Sequence, residues 1–349
     1  MKTHPARAVA LLSLFLCAGL ISFAGPQNNP NRPPWAQKPP ANSSSSTATT
    51  TTASPSSPVI PTPPPQPPDT VQDRSTIKVR VNLVSVLVSV LDEHKRPAPD
   101  LPVEAFQLFE EGQPQKIEVF EQETQQPLDL ILMIDSSLSA QMDMPAQRDA
   151  ASRFIQQVIR KGDRIAVYAF DQDVTQLSEF TDDIPVLQSA VRRVPVGGGT
   201  SIYDALYLGS RALQRQGDDR RRVILLITDG GETTSHTDFD AARNQAVKAG
   251  TLLYTVLLRP VKNEGGRNTA GEHALQTITD MTGGAMFFPN QAGELDGIFD
   301  QINRELRTQY RLGYYPNPRG PANSYRSIEV HVTGSYTVRH RKTYFTGSQ

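Results

Sequence analysis

Asp135, Ser137 and Ser139 stand directly behind the apolar run 130–134. An unbroken apolar run of this length predicts a strand that is covered on both faces. Ligands of open α/β sheets gather at the carboxyl ends of such strands. Carboxylate and hydroxyl oxygens are hard ligands, which suit Mg²⁺ or Mn²⁺ better than Ca²⁺ and do not suit a thiophilic metal. The motif Asp-x-Ser-x-Ser therefore predicts an oxygen-ligated metal site.

Two later segments supply further oxygen ligands. Thr200 follows three consecutive glycines, and Asp229 follows the apolar run 223–228. Because Asp and Ser are favoured wherever a strand turns, the first motif alone is weak evidence for a site. The same residue types at the ends of separate elements make a shared site at one sheet edge the better interpretation.

The order Asp-x-Ser-x-Ser, then Thr, then Asp resembles the metal-ion-dependent adhesion site of von Willebrand factor A domains. The five matching positions are Asp135, Ser137, Ser139, Thr200 and Asp229. The resemblance implies that these residues hold one Mg²⁺ or Mn²⁺, some of them through water. It also implies an open coordination position, which the Asp or Glu carboxylate of a partner protein fills.

Asp204 stands one turn into the helix predicted after Thr200. Domains of this family often have an acid there, which implies that it supports the metal ligands without binding the ion itself. The alternative is an acid favoured in a first helical turn by the helix dipole.

The elements that position these residues alternate between strand and helix over residues 125–308. Such alternation predicts an α/β domain with a doubly wound, mainly parallel sheet, which is also the fold that the resemblance implies. Thr200 or Ser201 is predicted to cap the helix that follows it. Asp238 is predicted to begin a later helix, and Gly250 to end it.

Strand patterns flank this domain on both sides, in residues 74–124 and 309–349. In the first, residues 106–110 and 116–120 around Glu111-Gly112-Gln113 predict a hairpin. Neither segment is large enough to close a sandwich alone, so we expect the two to pair into one β-sandwich with the α/β domain inserted between its halves. The layout over about residues 76–345 resembles von Willebrand factor A-related proteins of Acidobacteria, in a turn containing Asp100-Leu101 and a tail containing Gly313-Tyr314-Tyr315.

The amino-terminal residues predict export. Residues 1–24 have a basic start, an apolar centre and a small-x-small ending, as in a signal peptide; an uncleaved anchor is the alternative. Residues 25–73, rich in Pro, Ser and Thr, predict a disordered linker. The sole cysteine, Cys17, lies in the segment to be cleaved. We therefore expect a periplasmic, cell-surface or extracellular protein without a membrane span after cleavage.

The predicted function is a non-catalytic protein-binding or adhesion module that depends on a divalent metal. A net charge of −1 gives no case for a nucleic-acid partner. The alternative is a structural or scaffold module of the cell envelope, in which the metal site is stabilising or vestigial. A Mg²⁺-dependent phosphohydrolase is disfavoured, because such enzymes carry Asp-x-Asp and this chain has Ser137 at the second acid position.

Overall fold

The computed structural model describes residues 83–217, 219–258 and 269–347. The predicted signal peptide (1–24), the predicted linker (25–73) and the first residues of the predicted amino-terminal strand region lie outside these ranges. In the described part, no helix is long and apolar enough to cross a membrane.

Strands and α-helices alternate through the middle of the chain, and the described residues on either side of this part contain strands but no α-helix. The strands are β1 (Val84–Leu91), β2 (Phe106–Glu110), β3 (Gln113–Gln115), β4 (Val119–Glu121), β5 (Leu128–Asp135), β6 (Arg164–Phe170), β7 (Val174–Gln176), β8 (Arg221–Thr228), β9 (Leu252–Leu257), β10 (Ala285–Phe287), β11 (Tyr310–Tyr314), β12 (Tyr325–Val332), β13 (Thr337–His340) and β14 (Thr343–Phe345). The helices are α1 (Met144–Val158), α2 (Ile184–Arg192), α3 (Ile202–Gln214), α4 (Phe239–Ala249), α5 (Thr269–Thr282) and α6 (Leu295–Arg307).

The central sheet has the strand order β10-β9-β8-β5-β6-β7. Its strands are parallel except for the edge strand β7, which runs antiparallel to β6. Apolar side chains from α1, α2 and α6 cover one face, and those from α3, α4 and α5 cover the other. Since both faces are covered, every residue of β5 is buried, as its continuous apolar run predicts. The predicted doubly wound α/β class is confirmed.

The strands at the two ends of the chain form two four-stranded sheets, ordered β13-β1-β11-β4 and β14-β12-β2-β3. Amino-terminal β1 pairs with carboxyl-terminal β11 and β13, and β2 pairs with β12. The two sheets share one apolar core, to which Val86, Leu108, Leu312 and Ile328 contribute. The predicted β-sandwich from both flanking segments is therefore confirmed.

The predicted hairpin is only partly correct. Its turn lies at Glu111 and Gly112, both with positive φ, as tight hairpin turns require. The strand that returns beside β2 is β3, however, and not residues 116–120. Residues 119–121 form β4 in the opposite sheet, because β11 offers them an edge for pairing. The sequence pattern marks β2 and overlaps β4 but does not mark β3, and it does not say which sheet each strand joins.

Helix α2 was not predicted from the sequence. Asp183 begins it by accepting a hydrogen bond from the N–H of Val186 at 3.1 Å, and a proline lies in its first turn. These are ordinary start signals for a helix. The helix is nine residues long, and it buries Leu187, Ala190 and Val191. So short a segment gives little periodicity to detect.

Candidate metal centre

Asp135 is the last residue of β5, and its side chain is fully buried. Its Oδ1 accepts a hydrogen bond from the N–H of Ser137 at 2.9 Å, and its Oδ2 accepts one from Thr228 Oγ1 at 2.7 Å. Burial raises the pKa of this carboxyl, the hydrogen bonds oppose the rise, and the negative charge of nearby Asp229 adds to it. The ionised form of Asp135 is therefore costly to hold in this place.

The two serines of the motif lie on the loop that leaves β5. The hydroxyl oxygens of Ser137 and Ser139 are 3.1 Å apart. Ser137 is buried, whereas Ser139 is exposed at the sheet edge. Ser136, which lies between Asp135 and Ser137, points away from these hydroxyls, because its Oγ donates to the carbonyl of Phe170 at 3.1 Å. The hydroxyls of Ser137 and Ser139 thus lie together on the loop that follows Asp135.

The glycine segment before Thr200 is bound to this loop. Gly197 donates its N–H to the carbonyl of Ser136 at 2.8 Å and forms a parallel bridge with Ser137. A Cβ on Gly197 would lie 1.8 Å from Oδ2 of Asp171, so no larger residue fits without movement. The close approach of the Asp171 side chain explains the glycine here.

Thr200 is buried and bound through its backbone to the loop that follows Asp229. Its N–H donates to Thr233 Oγ1 at 2.8 Å, and its carbonyl accepts from the N–H of Thr233 at 2.9 Å. Within the described residues its own hydroxyl has no hydrogen-bond partner. That oxygen is therefore available as a ligand.

Asp229 follows β8 directly. Its Oδ1 accepts from the N–H of Gly231 at 3.0 Å. Thr228, immediately before it, links the two strands: Thr228 Oγ1 donates to Asp135 and accepts from the N–H of Gly230 at 3.0 Å. Gly230 has a φ of +81°, a conformation that glycine adopts without strain. We did not predict Thr228, although a threonine that ends an apolar strand beside β5 was a visible signal.

The start of α3 does not follow the predicted capping. Ser201 precedes the helix, but neither its side chain nor that of Thr200 caps it. The N–H of Tyr203 donates instead to Glu232 Oε2 and to Ser235 Oγ, both at 3.1 Å. The local cap is replaced by a distant loop, which sequence spacing does not reveal. Glu232 is therefore a residue of the site that sequence reasoning missed.

The carboxylate of Asp204 accepts from the N–H groups of His236 and Thr237, both at 2.9 Å. Burial alone would raise its pKa, but the hydrogen bonds from Thr237 and His236 outweigh burial and lower it. The structure thus gives Asp204 contacts with the loop after Asp229. Its predicted part in supporting the metal ligands stays a prediction.

Three loops therefore meet at one edge of the sheet, through contacts of Asp135 with Thr228, of Ser136 with Gly197 and of Thr200 with Thr233. The described ranges contain no group of three or more His, Cys, Asp or Glu that could hold a metal ion. A cation here would thus depend on hydroxyl oxygens as well as on two carboxylates. That donor set fits a hard divalent cation such as Mg²⁺ or Mn²⁺.

Comparisons with known proteins agree with this fold. Residues 130–232 match the family described as von Willebrand factor type A domain. A calcium-activated chloride channel regulator 1 from Bos taurus is 28% identical over 181 residues, which is 50% of this chain and 18% of that protein. This chain thus spans under a fifth of that relative's length.

Solved structures also resemble the chain at low identity. The von Willebrand factor type A protein from Catenulispora acidiphila is 12% identical, with a TM-score of 0.47, and the match covers 77% of this chain and 75% of that one. Proximal thread matrix protein 1 from the mussel byssus, solved with a zinc-occupied MIDAS motif, is 15% identical, with a TM-score of 0.45. That match covers 56% of this chain and 49% of that one.

Proposed function

The chain carries a von Willebrand factor type A domain, and on that premise we propose that it is an exported, non-catalytic protein-binding module. In this proposal a divalent cation at the carboxyl edge of the central sheet is held by Asp135, Ser137, Ser139, Thr200 and Asp229. The Asp or Glu carboxylate of a partner protein completes its coordination.

One observation carries the proposal: Asp135 and Asp229 are two neighbouring carboxylates without a basic partner. In the described part of the chain, neither forms an ion pair with Lys, Arg or His. The charge of Asp229 raises the pKa of Asp135. Other buried acids of the chain are paired, as Asp129 is with Arg164 and Arg220. Buried charges are normally paired or bound to metal, so a cation would account for the buried, unpaired Asp135 and the half-buried Asp229 beside it.

The donor set also explains why a partner would bind. Only two of the five proposed ligands are charged, so a divalent cation would retain affinity for another anion. Mg²⁺ takes six oxygens and readily keeps waters that an outside ligand can displace. Asp135 and Asp229 would hold the charge, and Ser137, Ser139 and Thr200 would orient the open position towards solvent.

Calorimetric titration of Mg²⁺ and Mn²⁺ into the full chain tests this assignment. We expect saturable binding that is lost in Asp135→Ala and in Thr200→Ala. Ser136→Ala is the matched control, because Ser136 lies within the motif but its hydroxyl is bound to Phe170. The control should bind metal as the parent does. Absence of binding in the parent would reject the metal-dependent function.

A structural module of the cell envelope, with the metal site stabilising or vestigial, is the second candidate. The observation in its favour is that the sandwich contacts the α/β domain through an ion pair between Arg339 of β13 and the buried Glu305 of α6. A metal site that binds Mg²⁺ with an affinity unaffected by added carboxylate ligands would favour this candidate. Neither candidate requires catalysis.

A further inference from the structure

An open groove of about 510 Å³ lies beside the edge strand β3 of the β-sandwich. It is lined by the turn before β2, by β2 and β3, and by Ile117. In the described part of the chain, β3 ends one sheet and β4 ends the other, and Ile117 lies on the connection between them. Strand β3 pairs there with residues 108–110 alone, which leaves the start of β2 beside the groove.

The lining contains apolar side chains that the described residues do not cover completely. Val103, Phe109 and Ile117 are partly exposed, and Pro114 is exposed. Glu104 is an exposed acid among them, and it forms no ion pair with the described residues. A polypeptide that fits this groove should therefore carry several apolar side chains on one face and basic groups beside them.

The described chain begins close to the groove. The Cδ1 of Leu83 and the Cβ of Val119 both lie within 3.3 Å of the position that a Cβ on Gly313 would take, so Leu83 and Val119 are neighbours. Val119 is two residues beyond Ile117, which lines the groove. The residues that precede Leu83 therefore enter the sandwich beside the groove.

The direction of β1 also leads to the groove. Strand β1 runs antiparallel to β11, with Val84 opposite Tyr314, so the chain before Val84 lies along the direction that residues 315–317 take. Asn317 is bound to the side chain of Gln115, which lines the groove. The N–H of Asn317 donates to Gln115 Oε1, and Gln115 Nε2 donates to the carbonyl of Asn317, both at 2.9 Å.

Residues 76–82 precede Leu83 and have the pattern that the groove requires. Apolar side chains alternate in this segment with basic or polar ones: Ile77, Val79 and Val81 with Lys78, Arg80 and Asn82. In an extended chain, successive side chains point to opposite faces. The three aliphatic side chains would thus share one face, and the two basic side chains would share the other.

We propose that residues 76–82 bind in this groove as an extended segment. Their aliphatic side chains contact Phe109 and Ile117, and a basic side chain lies near Glu104 at the mouth of the groove. The groove is then the place where the predicted linker is attached to the sandwich. This inference does not depend on the metal centre, because every residue in it belongs to the sandwich or precedes it.

Limited digestion of the full chain with trypsin tests this inference, because trypsin cleaves after Lys and Arg. Lys78 and Arg80 lie within the segment, and Arg74 lies just outside it as an internal reference. The masses of the amino-terminal fragments report cleavage at each position. We expect slower cleavage after Lys78 and Arg80 than after Arg74, since a protease acts on the released form of a bound segment.

Val79→Ser and Phe109→Ser change the two sides of the proposed contact. Loss of one apolar side chain should speed cleavage after Arg80 roughly tenfold relative to Arg74, which corresponds to about 1.4 kcal/mol. Val79→Ser changes the segment alone, so its effect does not depend on the stability of the sandwich. Val186→Ser is the matched control, because Val186 is 46% exposed but lies in α2. Its cleavage should equal that of the parent.

The possible results separate the occupants of the groove. Equal rates of cleavage after Arg74 and Arg80 in the parent would overturn the inference. Protection that survives in either Val79→Ser or Phe109→Ser would overturn it too, because the segment would then be held by other contacts. Protection that is lost when the parent is diluted would assign the groove to the segment of a second copy, and would overturn binding within one chain.

Discussion

Thr228 Oγ1 donates a hydrogen bond of 2.7 Å to Asp135 Oδ2, and so joins the last residues of two neighbouring strands, β8 and β5. The same hydroxyl accepts from the N–H of Gly230. One buried side chain thus fixes the orientation of Asp135 and the start of the loop that carries Asp229. The separation between the two carboxylates depends on this threonine.

Replacement of Thr228 by valine should weaken both the fold and the metal site. Valine keeps the shape but removes the donor to Asp135 and the acceptor for Gly230, and buried polar groups left without partners cost about 1–3 kcal/mol. We expect a loss of that size in the free energy of unfolding by urea, together with weaker Mg²⁺ binding by calorimetry. Thr228→Ser, which keeps the hydroxyl, should retain most of both. Equal losses in the two variants would contradict this role.

Gly197→Ala should disturb the metal centre through the backbone. The added Cβ would lie 1.8 Å from Asp171 Oδ2, so either the Asp171 side chain or the glycine loop must move. Because Asp171 Oδ1 accepts from the N–H of Asp173, we expect the loop to shift and to carry Thr200 with it. We expect Mg²⁺ affinity to fall by tenfold or more, in line with a loss of about 1.4 kcal/mol. Calorimetry measures the change.

Gly198→Ala is the matched control for this substitution. A Cβ at Gly198 would meet no atom within 4 Å, although the residue is the next one in the same loop. Its metal affinity should equal that of the parent. If both alanine variants bind Mg²⁺ as the parent does, the position of the glycine loop does not matter to the site.

The amino end of β5 is held by a separate set of charges. Asp129 is fully buried, and its two oxygens contact Arg164 at 2.7 Å and Arg220 at 2.7 Å. Removal of the buried acid leaves two partly exposed arginines without their partner, so Asp129→Ala should cost about 1–3 kcal/mol in the free energy of unfolding. Asp296→Ala, which removes an exposed pair with Arg153, should change stability little. Similar urea midpoints for the two variants would refute this contrast.

Stability should fall below neutral pH because of His340 in the sandwich. Burial, and then the positive charge of Lys342, lower the pKa of this imidazole to about 4, from 6.5 in an unfolded chain. The unfolded chain therefore takes up a proton at a higher pH than the folded protein does. The free energy of unfolding begins to decrease as pH falls through about 6.5. The decrease is complete near pH 4 and amounts to roughly 3 kcal/mol.

Urea unfolding of the parent and of His340→Gln, each at pH 7 and at pH 4.5, measures this contribution. The glutamine carbonyl can replace Nε2 as the acceptor from the N–H of Val330. We expect a smaller difference between the two pH values in the variant. Equal pH-dependent changes in the two proteins would show that His340 does not contribute to the loss of stability at low pH.

Much of this architecture could be predicted from the sequence, because strands covered on both faces are apolar throughout and end where polar residues begin. Asp135 and Asp229 were recognisable for that reason. Gly250 was recognisable because a glycine in the αL conformation commonly follows the last residue of a helix, as it does after α4. Asp238 begins α4 as predicted, accepting from the N–H of Ala241 at 2.7 Å.

The residues that sequence reasoning missed act over long separations. Glu232 binds the N–H of Tyr203, 29 residues away in the chain, and Thr228 binds Asp135 across 93 residues. No local periodicity records such contacts. Which sheet residues 119–121 join likewise depends on the free edge of β11, with which they pair in the folded protein.

The most direct test of the central claim is the free energy of unfolding of the parent and of Asp135→Asn, each in EDTA and in excess Mg²⁺. The claim is that a bound cation compensates the charges of the buried Asp135 and the half-buried Asp229. A ligand that binds only the folded state at one hundred times its Kd adds about 2.7 kcal/mol. The account predicts an increase of this order in the parent and none in Asp135→Asn. The same increase in both proteins, or none in the parent, would contradict it.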